Sequence, residues 1–269
     1  MYLQYWGFKE KPFENTPDPR FFYSAPRHEE ALARLLYAVS EHKGAAMLSG
    51  EYGSGKTLLT RVISSRLLTE ADKYNVAIII NPNISSDELL SEILYQLGKK
   101  PQGQYRKGES IRELNTLLYD TACRGRHTVI IIDEAQAIED EKTFEELRLL
   151  LNFQLNDRFL LTLLLFGQPE LREKVSALKQ LEQRLAIRYH LTPFTPEETA
   201  AYLKHRCTVA GRDDGMFSQE ACYRVYQGSG GTPRLINTIS DLALVSGLGR
   251  QVNRLDAEII SEVINDLKG

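Results

Sequence analysis

The stretch GEYGSGKTLLTR at residues 50 to 61 carries the residue types and the spacing of a phosphate grip. Gly50, Gly53, Ser54, Gly55, Lys56 and Thr57 satisfy G-x-x-x-x-G-K-[ST], with a strand-like lead-in, GAAMLS, and a helix-like exit, LLTRVISSRLL. Glycines let backbone N–H groups turn inward around phosphate oxygens, and the start of a helix adds partial positive charge. The binding loop therefore runs through Gly50, Glu51, Tyr52, Gly53, Ser54, Gly55, Lys56, Thr57 and Leu58. In it Lys56 is placed to reach the β and γ phosphates of a nucleotide, and the Thr57 hydroxyl to ligate magnesium.

Magnesium bridging two phosphates needs an oxygen partner at the tip of a neighbouring strand. VIIIDEAQ, residues 129 to 136, supplies it. Asp133 is the candidate that holds the metal through water, and Glu134 the candidate that orients and polarises the attacking water. An acid at position 134 points to hydrolysis of the bound triphosphate and not to binding alone.

Phosphoryl transfer also draws on positive charge at the γ phosphate, where an arginine finger is worth about 10³ to 10⁵ in rate. Three arginines are candidates: Arg184 and Arg188 in LEQRLAIRYHL, and Arg234 in GTPRLIN. Arg184 reads equally as a finger or as a surface charge in a weak ion pair. Arg188 reads as structural. Arg234 follows a Gly-Gly-Thr-Pro helix start and so projects from a defined turn, which favours a functional role.

Several elements must position these groups. Short apolar runs at 45 to 49, 76 to 80, 128 to 133 and 160 to 166 are nearly continuous, as strands covered on both faces are, and IRYHL at 187 to 191 closes the sheet. Helical stretches separate them, three announced by capping boxes: Ser85 with Glu88, Ser110 with Glu113, and Thr195 with Glu198. The expected fold class is α/β, a three-layer αβα domain around a parallel sheet of about five strands. Before it, residues 1–27 interleave aromatics with Pro12, Pro17, Pro19 and Pro26, which predicts an extended segment docked on a larger body. The following helix places Ala31, Leu35, Ala38 and Val39 on one face. The nucleotide-binding domain is read as residues 28–192. Helical patterns at 196–210, 218–227, 233–246 and 256–267, with Gly211 and Gly228 as stops and Asp256 as a cap, make residues 193–269 a small all-helical lid.

Composition narrows the partners. With 33 Lys and Arg against 36 Asp and Glu, the 269-residue chain has no global positive field for nucleic acid or anionic lipid. Cys123, Cys207 and Cys222 are scattered, without metal or disulfide spacing, and read as small buried hydrophobes in a reducing cytosol. The longest apolar run, FLLTLLLFG, is too short to span a bilayer, and MYLQYWGFKEK lacks the pattern of a signal peptide. The expected location is cytoplasmic, without membrane insertion.

With these pieces placed, the chain resembles, nearly end to end, the AAA+ ATPases of the general secretion pathway protein A (ExeA) type, a group that is also similar to the ATPase regulators of some transposons. The likeness is carried by FKEKPFENTPDPRFFY, SAPRHEEAL, GEYGSGKT, INPN, IIIDEAQ, FGQPELRE, the QR of LEQRLAIR, PFTPEETAAYLKHR and GTPRLIN. The resemblance implies ATP with Mg²⁺ at the junction of nucleotide domain and helical lid, and assembly into a homo-oligomeric ring or filament. In that assembly Arg184 would act in trans on a neighbour's ATP, and Arg234 would be the lid arginine at the γ phosphate. The aromatic opening and His28 would line the base side of the nucleotide, although His28 reads equally as a cap or surface residue. Two departures stand out. A polar sensor, often Asn or Thr, is expected at the end of the fourth strand, where LLLFGQPE offers Gln168 beyond a glycine. Members that assemble secretion pores continue into a membrane span and a cell-wall-binding region, whereas this sequence stops at Gly269, so a secretion or pilus role implies a separate membrane partner that recruits it to the inner membrane.

Three functions compete. The leading one is an ATPase switch that drives assembly or remodelling of a partner complex in secretion, pilus or polysaccharide export. The second is an ATP-dependent DNA-binding regulator of transposition type, for which Lys99, Lys100, Arg106, Lys107, Arg124 and Arg126 would line a channel, against the acidic balance of the chain. The third is a scaffold that binds nucleotide without turnover, against which Glu134 counts.

Overall fold

Residues that are apolar on both sides of a strand must find cover on both faces, and the four apolar runs find it by pairing in parallel under helices. The computed structural model describes residues 2–99, 107–212 and 215–268. In chain order it has α1 (Tyr2–Trp6), a 3₁₀ turn at Pro19–Phe21, α2 (Pro26–Ser40), β1 (Ala45–Gly50), α3 (Lys56–Thr69), β2 (Tyr74–Ile79), α4 (Ser86–Gln96) and α5 (Lys107–Cys123). It continues through β3 (His127–Ile132), a 3₁₀ turn at Ala135–Ala137, α6 (Glu141–Leu150), β4 (Leu161–Gly167), α7 (Glu170–Ala177), α8 (Lys179–Glu182) and β5 (Leu185–Leu191). Four helices follow: α9 (Pro196–Val209), α10 (Gln219–Ser229), α11 (Pro233–Gly249) and α12 (Ala257–Lys268). The chain divides into two compact units, one of Met1–His28, Glu51–Leu58 and Thr192–Gly269, the other of Glu29–Gly50 and Leu59–Leu191.

The second of these holds the sheet, with strand order β2-β3-β4-β1-β5 and every pairing parallel. All residues of β1, β3 and β4 are buried, whereas the edge strand β2 mixes buried with half-buried positions and the edge strand β5 also has exposed ones. The core on one sheet face joins Met47, Ile130, Leu163 and Leu165 to Leu89, Leu114, Phe144 and Leu171 from the helices. Register aligns the strand tips: Leu165 pairs with Ile132 on one side and with Met47 on the other. β1 and β3 are therefore separated by one strand, so their tips lie about 10 Å apart.

In the other unit the opening segment and the last four helices share one core. Trp6, Phe8, Phe13 and Phe21 are buried with Phe194, Tyr202, Leu203, Ile236, Leu244 and Ile260. Arg206 ties the segment down: Nε donates to the Pro12 carbonyl, Nη2 donates to the Glu14 carbonyl at 2.8 Å, and the guanidinium lies 4.3 Å from the Phe21 ring centre. Trp6 Nε1 donates to the Leu244 carbonyl at 2.9 Å.

Two of the three expected capping boxes form. Capping boxes form at Ser85 with Glu88 and at Thr195 with Glu198, and Asp256 Oδ1 accepts from Glu258 N and Ile259 N. Three readings need correction. Ser110 is not a cap: α5 begins at Lys107, and Ser110 sits buried on the face that continues into Leu114, Leu117 and Leu118. Gly228 does not stop its helix, which runs on to Ser229 and is capped by Gly230 at φ 58°. Gly228 is small for another reason, since a Cβ there would lie 2.4 Å from Ile264 Cδ1. Cys123, expected inside, is exposed at the end of α5, while Cys207 is buried and Cys222 is half-buried. No described helix is long and apolar enough to cross a membrane.

Candidate functional site

The loop that follows β1 is shaped by two glycines with left-handed backbone, Gly53 at φ 77° and Gly55 at φ 100°. Side chains rarely adopt that region, so the turn itself demands glycine. Lys56 opens α3, which puts the first N–H groups of a 14-residue helix at the end of the loop. Ser54 and Lys56 are buried, and Lys56 Nζ donates to the Glu51 carbonyl at 2.8 Å. The Ser54 hydroxyl is buried without a protein hydrogen-bond partner.

His28, at the start of α2, supports this loop from beneath. It is 5% exposed, and its Nε2 lies 3.1 Å from the Ser54 carbonyl. A carbonyl only accepts, so Nε2 carries the proton and the buried Nδ1 is left as a lone pair without partner. Burial holds the imidazole below its ordinary pKa, which keeps it neutral. Phe194 packs on the ring at 5.0 Å between centres. His28 is thus a buried prop of the loop backbone and not a surface histidine.

The start of α11 meets the other side of the loop. Arg234 N donates to the Gly53 carbonyl at 3.2 Å, and a Cβ on Gly53 would lie 2.7 Å from Arg234 Cβ. The Arg234 guanidinium donates from Nη1 to the Tyr52 hydroxyl at 2.6 Å and lies 4.8 Å from the tyrosine ring centre.

At the tip of β3, Asp133 is buried and its Oδ1 accepts from Glu134 N at 3.0 Å. Glu134 adopts a left-handed backbone at φ 51°, a conformation that is costly for a non-glycine residue and concentrates at functional sites. Two amides hold its carboxylate. Gln136 Nε2 donates to Glu134 Oε2 at 2.5 Å, and Gln168 Nε2 approaches the same oxygen at 3.4 Å. Gln168 N donates to Gln136 Oε1 at 3.0 Å, so the three residues form one network. Gly167 makes room for it, since a Cβ there would lie 2.7 Å from Gln136 Oε1. Lys174 closes the turn by donating to the carbonyls of Gln136 at 2.7 Å and Ile138 at 2.6 Å. Sequence reading missed Gln136; the DEAQ run named it without saying what it would touch. Gln168 takes a place beside the acid although a glycine separates it from the strand.

The remaining arginines are engaged within the chain. Arg184 Nη1 donates to the Leu151 carbonyl at 2.5 Å, and Arg188 pairs with Glu182 at 2.8 Å. Of the basic clusters, Lys100 and Arg106 lie outside the described residues. Lys99 pairs with Glu113 and Lys107 with buried Glu146, each at 2.5 Å, while Arg126 donates to the Tyr74 carbonyl at 2.8 Å. No group of three or more His, Cys, Asp or Glu suited to a metal occurs among the described residues. A hydroxyl, Thr57, and a carboxylate, Asp133, are hard oxygen donors of the kind that magnesium takes when phosphates and water complete its shell.

Comparisons with known proteins bear on the family and the fold. The profile of the family described as AAA domain matches residues 39–175. General secretion pathway protein A of Aeromonas hydrophila is 35% identical over 100% of this chain, which spans 49% of that relative's length. Among solved structures, the Aeropyrum pernix ORC2 protein in its ADPNP-ADP complexes superposes with a TM-score of 0.71 at 19% identity, covering 96% of this chain and 72% of that one. Drosophila ORC bound to DNA gives 0.74 at 16% identity, covering 100% and 66%. The Thermotoga maritima RuvB branch migration motor gives 0.60 at 20% identity, covering 89% and 68%. At those identities the structures speak for the fold alone, whereas the Aeromonas relative speaks for the family. The chain belongs to the AAA+ ATPases of the general secretion pathway protein A type.

Proposed function

We propose that the chain binds ATP with Mg²⁺ on Gly50–Leu58 and hydrolyses it, as an oligomeric switch that drives assembly or remodelling of a partner protein complex. The observation that carries this reading is the Glu134 carboxylate held by the Gln136 amide at the tip of β3, one strand away from β1. A scaffold that only binds nucleotide has no use for a strained, amide-held acid there.

In this reading the loop N–H groups and Lys56 hold the β and γ phosphates, while His28 keeps the loop backbone in shape. Thr57 and Asp133 would hold magnesium, which when bound neutralises charge on the phosphates. Glu134 orients the attacking water. Arg234 meets the γ phosphate from the start of α11. Arg184 acts on a neighbouring subunit's nucleotide, for which it must leave the Leu151 carbonyl. Functionally, residues 28–192 form the nucleotide domain, 193–269 the lid, and 1–27 a segment docked on the body of the molecule. The relative's name, General secretion pathway protein A, supports a partner in an envelope or export machine, with the chain cytoplasmic and recruited to the inner membrane by that partner. Binding to DNA is less favoured, because Lys99, Lys107 and Arg126 already have partners within the chain.

Replacing Glu134 tests the reading directly. Glu134→Gln should retain ATP binding and lose hydrolysis by at least about a hundredfold, a loss typical of removing a group that acts on the proton in the transition state; Lys56→Ala should lose both. Unchanged turnover in Glu134→Gln would overturn the assignment. Turnover that rises faster than linearly with protein concentration is expected if Arg184 acts in trans, and a salt-sensitive gel shift with duplex DNA and ATP would favour the DNA regulator instead.

A further inference from the structure

Tyr52 occupies a position of the phosphate loop whose side chain the motif does not specify, yet it makes a defined contact. The residue is 62% exposed. Its hydroxyl accepts from Arg234 Nη1 at 2.6 Å, and its ring lies under the same guanidinium at 4.8 Å. Among the described residues Arg234 has no ion pair, so these two contacts are what orient its charged end. The backbone leaves the guanidinium little choice of neighbourhood. Arg234 N is bonded to the Gly53 carbonyl, and Arg234 Cβ fills the space a Gly53 side chain would need.

We infer that Tyr52 parks Arg234 and thereby sets how strongly the chain distinguishes a nucleoside triphosphate from a diphosphate. The inference rests on the reading above in which Arg234 meets the γ phosphate. A guanidinium bound to Tyr52 must leave it to reach a phosphate oxygen, so the two positions compete for one side chain. A solvent-exposed cation–π contact with one hydrogen bond favours the parked position by roughly tenfold. The apparent affinity for a ligand that needs the released arginine is reduced by the fraction released. A diphosphate does not call on the arginine and is not reduced. Tyr52 is therefore a positioning residue whose effect appears only on the nucleotide that carries a γ phosphate.

The test measures dissociation constants of a non-hydrolysable ATP analogue and of ADP, both with magnesium, for the full chain and for Tyr52→Ala, Tyr52→Phe, Arg234→Ala and the two double variants. Tyr52→Ala should tighten the analogue about five- to tenfold and change ADP less than about twofold. Tyr52→Phe keeps the ring and loses the acceptor, so it should fall between. In the Arg234→Ala background neither tyrosine substitution should change the ratio of the two affinities. If Arg234→Ala weakens the analogue selectively but Tyr52→Ala leaves the ratio unchanged or lowers it, the parking role is overturned while the arginine's role stands. Equal shifts for both nucleotides would place Tyr52 on a part they share, which also overturns it. If Arg234→Ala leaves the ratio unchanged, the reading of Arg234 fails first and the inference falls with it. Circular dichroism of each variant separates these outcomes from a folding defect.

Discussion

His127 illustrates how a single buried group couples stability to acidity. Its Nε2 lies 2.8 Å from Thr162 Oγ1, and that hydroxyl donates its own hydrogen to the Lys43 carbonyl at 2.7 Å, so the imidazole must be the donor. Burial pushes its pKa down to about 3, with His42, stacked at 4.1 Å, and Arg158 adding to the effect. In the unfolded chain the same group titrates near about 6.5. Below that pH the unfolded state binds the extra proton, so stability is lost as pH falls from about 6.5 toward about 3, by up to about 1.4 kcal/mol per unit. Urea unfolding should show a loss of about 2 kcal/mol from this residue between about pH 7 and pH 5, and His127→Gln should flatten the profile. No such behaviour was legible in the sequence, because a histidine at the start of a strand says nothing about the ring above it. The turn after β1, in contrast, was legible in backbone terms: its glycine spacing is contiguous, and Gly53 and Gly55 take the left-handed conformations that only glycine adopts readily. Glu134 lay between these cases. Its identity was read from IIIDEAQ, but its amide partners, Gln136 and Gln168, meet only because β3 pairs with β4.

Elements were most legible where their signals were closed within a few residues. The boxes at Ser85 and Thr195 needed only four consecutive residues and formed. Ser110 had the same pattern, but a helix that buries one face against the core extends as far back as that face can be covered. The turn between α10 and α11 depends on a close approach that no pattern announces. Gly231 has φ 74°, its carbonyl accepts from Phe194 N at 2.9 Å, and a Cβ on it would lie 2.0 Å from the Phe194 carbonyl oxygen. Backbone cannot yield as a flexible side chain can. Gly231→Ala should therefore cost about 2 kcal/mol or more in urea unfolding, and it should also weaken nucleotide binding, because the same turn delivers Thr232 and Arg234 to the loop.

Across the whole molecule, the first residues of the chain are part of the core built by the last. Trp6, Phe8, Phe13 and Phe21 bury themselves among α9 to α12, and Arg206 closes over the strap through carbonyls at Pro12 and Glu14. Polar contacts follow the same route: Tyr2 donates to Asp241 at 2.6 Å, and Asn237 donates to Asn15 at 3.1 Å. Trp6→Ala removes a side chain that is 2% exposed together with its hydrogen bond to Leu244. The expected cost is about 3–5 kcal/mol, measured as a loss of thermal or urea stability, and large enough to free the opening segment for limited proteolysis. A change confined to surface docking would cost far less, so the magnitude checks whether the segment is core.

The order of residues along the chain determined what depends on neighbours a few positions apart: the phosphate loop, the acidic strand tip, the parallel strands and most helix caps. Folding in three dimensions decided what depends on residues far apart in sequence: the amide clamp on Glu134, the prop of His28 beneath Ser54, the seat of Arg234 on Tyr52, and the burial of the opening aromatics. The physical reason is one of range. Backbone conformation and capping are set by local sterics and hydrogen bonds, whereas burial and side-chain pairing are shared among segments that only the packed core brings within contact.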